Sequence, residues 1–318
     1  MKKSTYYIFL VISLLTTILC CKEDDQIKYT YKTNYNILLV PDLSNRINQS
    51  IHPKPIQDTA IINTILDSIP QFLKTGNRTI NQLDIYKIDF INRGILNEKT
   101  FSNSTFEISF LKFKNKLKEA SEYKRNHLKS DISTLKRETA KVYSYASIQS
   151  SGSDVWNYFN ETIHSSLSSQ IDTVKVSNCS RIISKTKNKV ILLTDGYIET
   201  INKTAGYQLN QDLITKVRTE FLKSKSNDLQ KFILSNPQFL IKKINNDLKN
   251  TDVLVLEVTD RSLDINGVAR FHPTDLEIIK IIWTDWLIKS GADHVQIHAA
   301  LSNRKDVHTI LKNFIENK

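Results

Sequence analysis

Two apolar runs in this sequence end on a carboxylate. Asn36-Ile-Leu-Leu-Val-Pro-Asp42-Leu-Ser44-Asn45-Arg46 passes from apolar residues to an acid, a hydroxyl, an amide and a guanidinium, and Lys189-Val-Ile-Leu-Leu-Thr194-Asp195-Gly196 ends in a similar way. Between them, Ser151-Gly152-Ser153-Asp154-Val155-Trp156 sets small, hydroxyl and acidic residues before an apolar-periodic segment, as at a helix N-terminus. A hard divalent cation takes oxygen ligands, and Mg²⁺ keeps several waters while taking one or two carboxylates. The carboxylates and hydroxyls of these three stretches are oxygen donors of that kind. Arg46 complicates this chemistry, because a guanidinium has five donors and no acceptor and opposes a cation within about 4–6 Å.

The elements that must position these residues follow from periodicity. The first apolar run reads as a strand over about 35–41, and in an open parallel sheet ligands sit outside the carboxyl ends of the strands. Ile56, Ala60, Ile61, Ile65, Leu66 and Ile69 recur at helical spacing over 56–73, after Pro53 and Pro55 and before Gly76-Asn77. Leu83 to Ile91 alternates polar and apolar, which predicts a strand nearer a sheet edge than the first. Phe106, Phe110, Phe113 and Leu117 open a helix, and residues 112–141 carry ten Lys/Arg against four Asp/Glu. That stretch reads either as a helical pair meeting anionic lipid or a partner, or as a charged helix with i,i+4 pairs. Trp156, Phe159 and Ile163 follow at helical spacing and read as core.

Residues 197–250 are helical but poorly periodic, broken at Asn236-Pro237, and read as a lid or as structural elaboration. Asp252 to Thr259 is a further buried strand, and Thr274-Asp-Leu-Glu277 is a capping box opening a helix to Lys289 that Gly291 stops. His294 to Ala299 makes the last strand and Asn303 to Glu316 the last helix. Strands and helices alternate without a repeat, which predicts an α/β fold: a doubly wound, mostly parallel sheet with helices on both faces.

The three polar stretches, in this order, resemble the von Willebrand factor A (vWA) family. Its metal-ion-dependent adhesion site places Asp-x-Ser-x-Ser after the first strand, a Thr in a middle loop, and an Asp, often followed by Gly, after the fourth strand. Asp42 and Ser44 match, Arg46 stands where the second Ser belongs, Ser153 stands at the Thr position, and Asp195 and Gly196 match. The resemblance implies six strands with one antiparallel edge strand, near residues 92–101. It also implies Mg²⁺ held by Asp42, Ser44, Ser153 and Asp195, with an acidic side chain of a partner completing the coordination; Asn45, Arg46, Asp154 and Gly196 would modify the site. Arg46 leaves two outcomes open. It points away, towards Asp89 or another carboxylate, or it folds inward as a built-in cation and no metal binds.

The sequence has 318 residues, 40% of them hydrophobic, enough for a substantial core, and a net charge of +11. No nucleic-acid-binding motif accompanies that charge, which reads as a Lys/Asn-rich surface. Three Cys are no disulfide framework, and Cys179 reads as a buried small residue. Residues 1–20 read as a signal peptide ending at a lipidation point, Cys21, and residues 21–33 as lipidated Cys and tether. Lys22-Glu23-Asp24-Asp25 is similar to the surface-export signal of Bacteroidetes lipoproteins, which implies an outer-membrane anchor, with the outer face as the expected side. The domain then spans 34–318, with insertions near 112–147 and 197–250.

The expected function is recognition of a protein or glycan partner in the envelope or outside the cell, without nucleic acid. A metal-independent scaffold of the same fold is the first alternative. A phosphohydrolase of the haloacid dehalogenase type is the second, but its second Asp would fall at Ser44. His52, His272 and His298 are scattered and read as surface or satisfied core side chains.

Overall fold

The apolar runs feed two layers at once. Ile37 and Leu39 join one core and Leu38 and Val40 the other; the division repeats at Ile191 and Leu193 against Val190 and Leu192, and at Leu254 and Leu256 against Val253 and Val255. A strand's side chains alternate between faces, so strands covered on both sides lose their polar positions. The structure is a computed structural model and describes residues 27–317 except 79, 93–102, 149–151, 178–179, 201–203, 205 and 246. The leader, Cys21 with its proposed lipid, the tether's first residues and Cys179 lie outside the described residues.

Among the described residues seven strands form one mixed sheet: β1 (Lys28–Pro41), β2 (Ile85–Ile88), β3 (Glu107–Ser109), β4 (Ile171–Ser177), β5 (Ser180–Leu193), β6 (Thr251–Val258) and β7 (His294–Ala299). The main path is β3-β2-β1-β5-β6-β7, and β4 pairs with β5 off that path. The β1–β2, β5–β6 and β6–β7 pairs are parallel, whereas β2–β3 and β4–β5 are antiparallel.

The longer helices are α1 (Asp58–Asp67), α2 (Leu117–Asn126), α3 (Leu128–Ile148), α4 (Gln211–Ser224), α5 (Leu229–Leu234), α6 (Asp275–Lys289) and α7 (Arg304–Glu316). α1, α3 and α7 supply one apolar layer; α4, α6 and the turns carrying Val155, Phe159 and Ile163 supply the other. The chain is therefore a doubly wound α/β protein.

Several expectations are corrected in detail. The main path holds the six strands expected, and β4 is a seventh. Residues 28–33, read as tether, belong to β1; Tyr29 and Tyr31 alternate there but stay exposed, so no apolar signal marks the strand. Residues 27–34 and 169–186 make one compact unit, in which β4 and β5 pair from Ile171 with Lys185 to Ser177 with Ser180. Residues 35–168 and 187–317 make the other, which holds the whole site described below. β3 is an antiparallel edge strand, three residues long, and lies where Phe106, Phe110, Phe113 and Leu117 predicted a helix, which begins only at Leu117; of residues 92–101, where an edge strand was expected, 93–101 lie outside the described residues.

The helix expected over 56–73 stops at Asp67 and restarts at Ile69, where Pro70 takes a first-turn position that needs no N–H. Leu128, Ile132, Leu135, Val142 and Ala146 fall on one face of α3, which makes this helix a core layer of the fold. At α6 the capping box forms in both directions: Thr274 accepts from the Glu277 N–H at 3.2 Å and Glu277 accepts from the Thr274 N–H at 2.7 Å.

Candidate functional site

Asp42 is the first residue past β1, and its N–H donates to the Leu193 carbonyl at 2.9 Å, holding the carboxyl ends of β1 and β5 together. Its Oδ1 accepts from the Ser44 N–H at 2.9 Å, a turn that Asp forms readily with the residue two positions on, and from the Ser153 hydroxyl. Its Oδ2 accepts from the Thr194 hydroxyl at 2.9 Å. Three stretches of the sequence thus close on one buried carboxylate. With Ser44, Asn45, Gly152, Ser153 and Asp195 it lines a pocket of about 260 Å³.

Asp195 forms the other wall. Its Oδ2 accepts from the Arg261 guanidinium at 3.0 Å and its Oδ1 from the Tyr197 N–H at 3.2 Å. Burial, followed by the nearby Asp42 carboxylate, pushes the Asp195 carboxyl above its usual range, although Arg46 and Arg261 pull the other way. Gly196 makes the turn at φ +86°, where a Cβ would come within 2.9 Å of Val258 Cγ1, and its carbonyl accepts from the Trp283 indole at 2.8 Å. Arg261 lies over the Tyr197 ring, 3.7 Å from its centroid.

Arg46 decides the floor. A short 3₁₀ turn at Asn45–Ile47 folds it under Asp42, where it is 3% exposed. Its Nε donates to the Asp42 carbonyl at 3.0 Å and lies 3.7 Å from Asp42 Oδ2; its Nη2 donates to the Leu193 carbonyl at 2.7 Å and to Asp58. Asp58 also accepts from Lys54 at 3.1 Å and from the Tyr143 hydroxyl at 3.1 Å. Burial alone would raise the Asp58 pKa, but Arg46 and Lys54 hold it below the usual carboxylate value.

Glu257 completes this layer. A register shift between Val255 and Val258 inserts a residue in β6, so Val258 takes the face of Val253 and Val255 while Glu257, at φ +74°, sets its Oε2 3.9 Å from Lys54. Burial pushes its carboxyl up, and its Oε1 accepts from the Leu301 N–H at 3.2 Å.

The four residues expected as ligands therefore line one pocket. Asn45 lines the same pocket, while Asp154 instead caps the turn at Val155, accepting from the Asn157 N–H at 2.9 Å. Of the two outcomes open for Arg46, the guanidinium takes Asp58 as its carboxylate while staying against Asp42. Asp89 is not that partner; it accepts from the Ser166 hydroxyl at 2.6 Å and the Tyr158 hydroxyl at 3.1 Å.

His52, Tyr197, Glu199 and Arg261 also line the pocket, and sequence reasoning placed none of them there. Arg261 follows the end of a buried strand, so the strand-end rule that found Asp42 and Asp195 would have found it too.

Among the described residues no group of three or more His, Cys, Asp or Glu side chains is arranged to hold a metal. A cation here would rest on two carboxylates and two hydroxyls. These are oxygen donors of the kind a hard cation takes, and a hydroxyl that gives its proton to a carboxylate, as Ser153 does to Asp42, keeps its lone pairs for one; against a cation stand Arg46, 3.7 Å from Asp42 Oδ2, and Arg261, 3.0 Å from Asp195 Oδ2. No protein-family model matches the chain, and a search of curated proteins finds no match. Among the described residues no helix is long and apolar enough to cross a membrane.

Proposed function

We propose that this chain is a lipid-anchored envelope protein whose vWA-like domain recognises a protein or glycan partner at the rim pocket. One observation carries the reading: Asp42, Ser44, Ser153 and Asp195, from three separate stretches, line a single pocket beyond two adjacent strand ends. Their order supports the vWA-like resemblance. The loop that carries Arg261 also exposes Ile265 (97%), Val268 (62%) and Phe271 (55%), and exposed apolar side chains on a loop beside polar groups suit a partner interface. In this reading Asp42, Ser44, Ser153 and Asp195 would hold Mg²⁺, which would offer an open coordination position to an acidic group of the partner. Ser44 and Ser153 orient the site, and the Arg46–Asp58 pair keeps Asp42 fixed from below.

Calorimetric titration with MgCl₂ and MnCl₂ tests the ion: heat is expected for the wild type and absent in Asp42→Ala, and heat that persists in the variant removes this pocket as its source. Retention of envelope components on immobilised protein tests recognition, with loss expected in Ser153→Ala. A metal-free version of the same reading is favoured by one observation, that guanidinium groups already stand against both carboxylates. Retention that survives EDTA yet is lost in Ser153→Ala selects it. Intact mass of the mature chain checks the anchor, with acylated Cys21 expected at its N-terminus.

A further inference from the structure

A second cavity, of about 880 Å³, opens between the segment after α1 and the helices α2 and α3. Its volume lies in the range of roughly 300–1,000 Å³ that holds small molecules. Pro70, Leu73, Leu128 and Ile132 give it an aliphatic floor, and among the described residues no aromatic ring lines it. A planar base or ring would find no such ring to stack on, whereas a hydrocarbon chain could lie along Pro70 and the lysine stems, over the largely buried Leu73, Leu128 and Ile132.

The rim is basic. Lys74, Lys124, Lys129 and Lys136 line the cavity against one acid, Asp67, which Lys136 meets at 2.5 Å. Arg78 is already neutralised by Asp84, at 2.5 and 2.9 Å. Lys124 donates to Gln82 Oε1 at 3.2 Å, and Lys74, Lys124 and Lys129 enter no ion pair with Asp or Glu among the described residues. Lys129, Ile132, Ser133 and Lys136 follow at successive spacings of three, one and three along α3, so one helix face sets Ile132, 7% exposed, between the two lysines.

We propose that this cavity binds a single-chain fatty acid, its alkyl chain on the Pro70–Leu73–Leu128–Ile132 floor and its carboxylate among Lys74, Lys124 and Lys129. Charge complementarity selects the head and the lack of aromatic residues selects the tail. The site is separate from the rim pocket and shares no lining residue with it.

Calorimetry on the full purified chain with sodium laurate, acetate and dodecyl maltoside, all below micelle formation, tests the assignment. Laurate is expected to bind one to one, acetate not at all, and dodecyl maltoside at least about tenfold more weakly than laurate, since it has the tail without the charge. Lys74→Glu/Lys129→Glu should weaken laurate at least about tenfold, and Ser133→Trp, at an exposed lining position, should block it; both should keep the wild-type urea midpoint. Absence of laurate binding, equal binding of laurate and dodecyl maltoside, or laurate binding unchanged in the lysine double variant would each overturn the proposal.

Discussion

At the floor of the rim pocket Arg46 is 3% exposed and meets Asp58, two backbone carbonyls and the edge of Asp42; at the mouth the Arg261 side chain is 39% exposed and meets Asp195 once, at 3.0 Å. The same chemical pair therefore does two different things. A buried pair is held only where its remaining donors and acceptors are satisfied, and losing one partner leaves an uncompensated charge. An exposed pair gains little and exchanges readily with solvent, an ion or a partner's side chain. The floor is architecture, and the mouth is where exchange can happen.

The comparison breaks most visibly at Asp58. Asp58→Asn should cost about 3–5 kcal/mol, read as a lower urea midpoint with the slope unchanged, because Arg46 and Lys54 both lose their bonded carboxylate and Arg46 keeps only the edge of Asp42. If its cost matches that of Arg261→Ala, the floor is no more structural than the mouth.

Acid sharpens the contrast. Asp58 is held below its unfolded pKa, so its contribution to stability is present above the usual Asp value of about 3.9 and is lost as pH falls through its lower folded value. Asp195 is shifted the other way and, taken alone, weakens the fold as pH rises from the usual value through its own. Side-chain carboxyl NMR titration should therefore find Asp195 above and Asp58 below about 3.9, and the acid limb of stability should flatten in Asp58→Asn. Coincident titrations would contradict the assignment of the two environments.

The smallest effect on stability is expected from Arg261→Ala, within about 1 kcal/mol. The change should still push the Asp195 carboxyl further up, since Arg261 is one of the groups holding it down. If the mouth receives a cation, Mg²⁺ should also bind several-fold more tightly to this variant in calorimetry, by release of a competing charge. An affinity equal to the wild type's would mean that Arg261 does not guard the site.

Much of this was legible in local patterns. Apolar runs before Asp42 and Asp195 placed both acids at strand ends, whereas Ser153 was expected at the site only through the resemblance and its contact with Asp42 came from the structure. The capping box at Thr274 and the helix after Asn303 appeared where residue order puts them. The outer part of β1 was missed because Tyr29 and Tyr31 face solvent, where burial leaves no imprint on composition.

What the sequence determined by itself was periodicity: the buried strands, the amphipathic helices, and which residues stand where a buried run gives way to polar ones. Tertiary structure decided the pairings. Asp58 rather than Asp89 receives Arg46, Glu257 turns towards Lys54 through an inserted residue in β6, and Arg261 crosses to Asp195 from a loop 66 positions away. The physical reason is reach. Periodicity is written in neighbours three or four positions apart, whereas a carboxylate's partner depends on which strand ends the sheet order sets side by side.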